Sequence, residues 1–198
     1  MITLQVKAYV VPSTLPAFNY GLYSVEEDYN EAVALAQPDY PLLDQNLVYY
    51  RGQDKVEVCD LFGVDKRFIH VKRWSSSAAL SHLFNQGEVP ARLLIHSEEF
   101  RNKVIAKLTG PHATLITSDG IKPSEFTVVF AVTSESAKSL HESLPLFSRM
   151  TFVRIASTLQ TYGYKVELMK INVLQPAAVA STAMPVASAS TLAPAASP

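Results

Sequence analysis

The rhythm of apolar and polar positions changes repeatedly along the chain, and each change predicts an element. Thr3 to Val11 alternates and predicts a strand; Pro12 to Ser24, "PSTLPAFNYGLYS", has two prolines and a glycine and predicts an extended connector. Tyr29, Val33 and Ala36 recur at helical spacing, so Glu26 to Gln37 reads as a helix. Acids crowd its first turn, where the helix dipole favours them, and Pro38 ends it. Three short strands follow at Asn46–Arg51, Lys55–Phe62 and Phe68–Trp74, separated by "GQD" and by a Gly/Asp-bearing loop. Ser75 to Gln86 is helical, capped by serines and closed by Gly87, and a second helix is predicted from Ser97 to Leu108. Phe126 to Thr133 is an apolar, β-branched run suited to a buried strand. Leu146 to Tyr162 is a long amphipathic helix stopped by Gly163, and Tyr164 to Val173 alternates as a last strand.

From Glu26 the order is α-β-β-β-α-(α)-β-(α)-α-β, which predicts an α/β (α+β) fold: a mixed β-sheet flanked by helices. Residues 1–25 form an N-terminal strand and connector, and 26–173 a single α/β domain. Residues 174–198, an Ala/Ser/Pro/Thr tract without charge or period, form a disordered tail.

Composition narrows the function classes. The chain has 198 residues, 48% of them apolar, and a formal net charge of -1, which removes bulk electrostatic coating of nucleic acid but leaves local basic patches open. The single cysteine, Cys59, sits in a predicted strand and fits a reducing cytoplasm and a buried apolar role. The N-terminus has neither the apolar core nor the cleavage site of a signal peptide, and no run is long enough to span a bilayer. The expectation is a cytoplasmic protein without membrane contact.

Candidate chemistry concentrates in Val56–Gly87. Side chains alternate along strands, so Val56, Val58 and Asp60 share one face, and Phe68, His70, Lys72 and Trp74 share a face of the next strand. If these faces coincide, Asp60, His70 and Lys72 converge at one end of a hairpin. Ser75, Ser76 and Ser77 read as helix caps; no Gly-x-Ser-x-Gly elbow accompanies them. His-x-Lys also resembles the phospholipase D signature, but that motif needs an Asp where this chain has Ser77. His82, His96, His112 and His141 have no metal-ligand spacing.

An acid on the second strand followed by x-Lys on the third, within an α-β-β-β-α-β order, resembles the restriction-endonuclease-like (PD-(D/E)xK) nucleases. The resemblance implies Asp60 as a metal ligand, Lys72 as the residue that orients or activates water, and Glu31 as an additional acid. Carboxylates of this kind hold Mg or Mn, which stabilises phosphate charge. Position 70 departs from the motif, with His in place of an acid. Either His70 ligates a nitrogen-tolerant ion such as Mn²⁺, or Glu57 supplies the oxygen, or the site is inactive. Lys66, Arg67, Arg73 and Trp74 are the candidate nucleic-acid contacts, with a solvated charged face as the plain alternative.

The blocks "DYNEAVA", "LLDQNLVYY", "VEVCDLF", "FIHVKRWSSSAALSHLFNQG", "LLIHSEEFR" and "LPLFSRMTFVRIASTLQTYGYKVELMKI" resemble a large uncharacterised bacterial family over Tyr29 to Ile171. That family is sporadically distributed, near mobile elements and defence genes. Its members are generally longer, which implies that this chain corresponds to their C-terminal domain, either as a truncation or as a split gene whose other product, a protein partner, supplies the preceding region. Two readings follow: a metal-dependent nuclease-like domain acting on DNA or RNA, or a non-catalytic module that binds nucleic acid or docks a partner.

Overall fold

The computed structural model describes residues 1–43, 47–50 and 54–174. In chain order the elements are α1 (Ile2–Lys7), β1 (Val10–Val11), β2 (Phe18–Asn19), α2 (Glu26–Ala36), β3 (Val48–Tyr50), β4 (Asp54–Val56) and β5 (Leu61–Phe62). They continue with β6 (Arg67–Arg73), α3 (Ser77–His96), α4 (Glu98–Ile105), β7 (Thr127–Ser134), α5 (Leu140–Ser143), α6 (Leu146–Thr161) and β8 (Lys165–Leu174).

The main sheet has the order β1-β8-β7-β6-β5, with β2 also pairing β8. β6, β7 and β8 are mutually parallel, β1 and β2 run parallel to β8, and β5 alone is antiparallel, on β6. β7 is buried at all eight positions, as its unbroken apolar run predicts for a central strand. Two cores follow from the alternation of its side chains. Phe68, Val128, Phe130 and Leu168 face α3, α4 and α6; Ile69, Val71, Val129, Ala131 and Ile171 face Tyr29 and Val33 of α2. The expected α/β class, a mixed sheet with helices on both faces, is the architecture observed.

Several local expectations change. Thr3–Val11 is not a strand: Ile2–Lys7 is helical and packs on α5 and α6, with the Arg149 guanidinium donating to Thr3 Oγ1 at 2.5 Å. Only Val10 and Val11 join the sheet. The connector before α2 contains β2, and its Phe18, Tyr20 and Tyr23 form an aromatic cluster with Tyr29.

The expected strand Lys55–Phe62 is two pieces. β4 pairs with β3 in a separate two-stranded sheet, so Asn46–Arg51 also lies off the main sheet; its ends, Asn46 and Arg51, fall outside the described residues. After Val56 the chain leaves strand geometry until Leu61, because Asp60 and Leu61 are held instead by the Leu42–Leu43 segment. The Leu43 N–H donates to Asp60 O at 2.8 Å, and Leu42 bridges Leu61. The Ala/Ser/Pro tract beyond Leu174 lies outside the described residues.

Gly87 does not end a helix. α3 runs twenty residues, from the Ser76 cap, whose Oγ accepts the Ala79 N–H at 3.1 Å, through Gly87 and Pro90 to His96. Gly87 is needed for close approach: a Cβ there would lie 2.5 Å from Cε1 of Phe130 and 3.3 Å from Cδ2 of His70. The signal that reads as a helix stop is a helix-to-sheet contact.

Candidate functional site

β5 is only two residues long and pairs with Phe68 and Ile69, whereas β6 continues to Arg73. On this side, the described residues provide no further strand for the second half of β6. Backbone N–H groups at a partly buried edge need acceptors, and two carboxylates supply them. Asp60 Oδ2 accepts the Val71 N–H at 2.5 Å, and Glu26 Oε1 accepts the Arg73 N–H at 3.1 Å. Asp60 also donates its own N–H to Ile69 O at 3.0 Å, the carbonyl of the residue that pairs with Leu61, so the chain is held against β6 one residue before β5 but out of the ladder's register.

The second oxygen of Glu26 accepts from Lys72 Nζ at 2.7 Å, so one carboxylate ties the start of α2 to both the backbone and the side-chain cation of β6. The start of α2 is itself held by Asp28. Its carboxylate accepts Ser24 Oγ–H at 2.7 Å and Ser24 N–H at 3.0 Å, bonds that lower its pKa below the usual carboxylate range.

These groups border a cleft of about 490 Å³ between α2, the free edge of β6 and α3. Asp60, Glu57, His70 and Lys72 all line it, with Glu26 and Glu27 from α2 and Gln86 from α3. The predicted convergence of Asp60, His70 and Lys72 is therefore present in space, although it is built by a bend and not by a continuous strand. Glu31 is not part of it: that residue is exposed one turn further along α2, and Glu26 and Glu27 take the place expected for it. Glu26 was visible in the sequence only as a first-turn acid; its bonds to Lys72 and Arg73 span more than forty positions and leave no local signal.

His70 is 4% exposed, with its ring stacked against Phe130 at 5.9 Å between centroids. Burial pushes its pKa down to about 4, so the imidazole is neutral near pH 7. A neutral imidazole keeps a nitrogen lone pair, but this is a softer donor than Mg²⁺ prefers.

The donor set can be tested for a divalent ion. In kind it fits, because Asp60, Glu57 and Glu27 offer carboxylate oxygens to one cleft. In position, no group of three His, Cys, Asp or Glu among the described residues could hold a metal ion. Mg²⁺ is ordinarily bound by one or two carboxylates, waters and substrate phosphate, without a protein cage. The set fits an ion that arrives with a phosphate, and not a prebuilt centre.

The four candidate nucleic-acid contacts divide into two places. Lys66 and Arg67 stand at the start of β6, where they pair with Glu125 (2.5 Å) and Glu167 respectively. Arg73 and Trp74 stand at its other end, roughly 20 Å away along the strand. There the Arg73 guanidinium lies 4.4 Å from the Tyr20 ring centroid, and the Trp74 N–H donates to Thr133 Oγ1 at 3.3 Å. Only the second pair adjoins the cleft, because Arg73 follows Lys72 directly.

Among the described residues no helix is long and apolar enough to cross a membrane. A family model described as a family of unknown function, DUF6119, matches residues 2–172. No curated protein and no solved structure matches the chain.

Proposed function

We propose that this chain, which belongs to the DUF6119 family, is a nuclease-like domain acting on DNA or RNA phosphodiesters in a mobile-element or defence setting. The observation that carries the reading is the common cleft: Asp60 beside β5 and Lys72 on its antiparallel partner, with Glu57 next to them. Four carboxylates there face one lysine, a balance that repels a bare phosphate and favours one accompanied by a cation. Asp60 and Glu57 would hold Mg or Mn, which when bound neutralises phosphate charge. Lys72, steered by Glu26, presents an ammonium that can donate to a phosphate oxygen or orient water. His70 stays neutral and offers an acceptor nitrogen at the cleft wall.

The test is incubation of the protein with single- and double-stranded DNA and RNA in Mg²⁺, Mn²⁺ or chelator. The reading expects cation-dependent cleavage that Lys72→Met abolishes while the fold survives. Cleavage that is indifferent to chelator or to that substitution removes it.

A second reading has its own support. Asp60 and Glu26 both serve as backbone acceptors for β6, and Lys72 is engaged by Glu26, which suits a binding module without turnover. It expects nucleic-acid binding that weakens with salt and no product under any cation.

A further inference from the structure

At the carboxyl ends of the parallel strands β6, β7 and β8 lies a second recess, of about 260 Å³. It is lined by Tyr20, Trp74, Ser75, Thr133, Glu135 and Ser136, among others. Open parallel α/β sheets bind ligands outside the carboxyl ends of their strands where the strand order reverses. β6, β7 and β8 are consecutive neighbours without such a reversal, so it is the lining of the recess, and not that rule, that points to a ligand. Trp74 packs on the core facing α3 and Tyr20 on the core facing α2, so aromatic rings reach the recess from both sides of the sheet. Between them stand hydroxyls and one carboxylate. Two aromatic side chains together with hydroxyls and a carboxylate suit a heteroaromatic ring that carries hydrogen-bonding edges.

Size and chain chemistry narrow the occupant. Pockets for drug-sized ligands run from about 300 to 1,000 Å³, so this one has room for one base and not for a dinucleotide cofactor. The link from β6 to α3, "WSS", has no glycine to cradle a pyrophosphate. Glu135 accepts hydrogen bonds and repels phosphate, so it faces a base edge that has an amino group, not the backbone.

The recess neighbours the cleft through Arg73, which ends β6 just before Trp74 and contacts Tyr20. A smaller hollow is lined by Glu26, Glu27, Lys72 and Arg73; the first three also border the cleft, and Arg73 lies over Tyr20, which lines the recess. Lys72 and Trp74 are about 7 Å apart along the strand, within the reach of one nucleotide. We infer that the recess is a base-binding subsite for an unpaired nucleotide, and that the cleft therefore takes single-stranded nucleic acid. This rests on the phosphodiester reading of the cleft. A base inside a duplex has neither face open to a ring, whereas a single strand offers both.

Trp74 is the only tryptophan of the chain, so emission excited selectively at tryptophan reports on the surroundings of this one residue. The test titrates the full chain with single-stranded oligo-dC and with the same strand annealed to oligo-dG. Binding is followed in parallel by the anisotropy of a labelled strand. The inference expects saturable quenching by the single strand and no change with duplex. Tyr20→Leu, which keeps apolar bulk, should weaken single-strand binding about tenfold or more, the scale of one lost base stack. Trp74→Phe retains a ring and should retain binding by anisotropy.

A single strand that binds without altering Trp74 emission, or a duplex that quenches equally, overturns the subsite. If Lys72→Met still abolishes cleavage in that case, the reading of the cleft stands and the subsite alone fails. Quenching without cleavage under any cation keeps the subsite and moves the cleft to the binding-only reading.

Discussion

The Asp60 carboxylate accepts the backbone N–H of Val71 at 2.5 Å, at the point where β5 has ended and β6 has not. A group proposed to work on phosphate is thus also a replacement for a missing strand. The two roles separate by substitution. Asp60→Asn keeps an acceptor oxygen for Val71 and removes the charge; Asp60→Ala leaves the N–H without its acceptor. Losing a partner at a partly buried site costs about 1–3 kcal/mol. Urea denaturation should therefore place Asp60→Ala clearly below the wild type and Asp60→Asn close to it. Equal stabilities for all three would mean that the edge does not depend on this bond.

Gly87 gives a test of helix-to-sheet contact against intrinsic propensity. Alanine is the better helix former by about 1 kcal/mol, so an unconstrained site would gain stability from Gly87→Ala. Here the new methyl meets Cε1 and Cζ of Phe130 at 2.5 and 2.8 Å. Overpacking of this kind costs roughly 1–3 kcal/mol. Thermal melting should show Gly87→Ala lowered relative to the wild type; a raised midpoint would contradict the close approach of α3 to β7.

These two residues also show how far the sequence could be read. The runs that became β6, β7 and β8 were legible because their side chains face two apolar layers, and burial leaves its period in the chain. Asp60, His70 and Lys72 do line one cleft, but through the bend at 57–60 and not through the strand alternation that suggested it. What failed was decided by distant partners. Residues 57–60 alternate like a strand, yet the Leu42–Leu43 segment holds Asp60 and Leu61. Gly87 and Pro90 are local stop signals that packing on Phe130 and the rest of the core overrides. Ile2 and Val6 satisfy both a strand alternation and an i, i+4 helical pair, and packing on α6 selects the helix. The nuclease resemblance points to Glu31 as the acid of α2, although the turn that faces β6 is the one with Glu26 and Glu27.

His70 sets a pH dependence whose sign follows from burial. Its folded pKa of about 4 lies below the ordinary 6.5, so the unfolded chain takes up the proton first. The stability associated with the neutral ring is complete above pH 6.5 and is lost as pH falls towards 4. The size is about 3 kcal/mol as an order of magnitude. Denaturation midpoints of wild type and His70→Gln, measured from pH 7.5 to 4.5, should converge as the solution is acidified. Parallel curves would show that His70 is hydrated and titrates normally.

The most direct test of the account compares cleavage by wild type and Asp60→Asn, with the folded fraction of each matched by circular dichroism, on single-stranded DNA and RNA in Mn²⁺. The account predicts product from the wild type and, because the lost charge can no longer hold a cation beside the phosphate, a fall of a hundredfold or more (about 3 kcal/mol at the barrier) in Asp60→Asn. Equal cleavage by the two proteins, or none by the wild type on any strand, would contradict it.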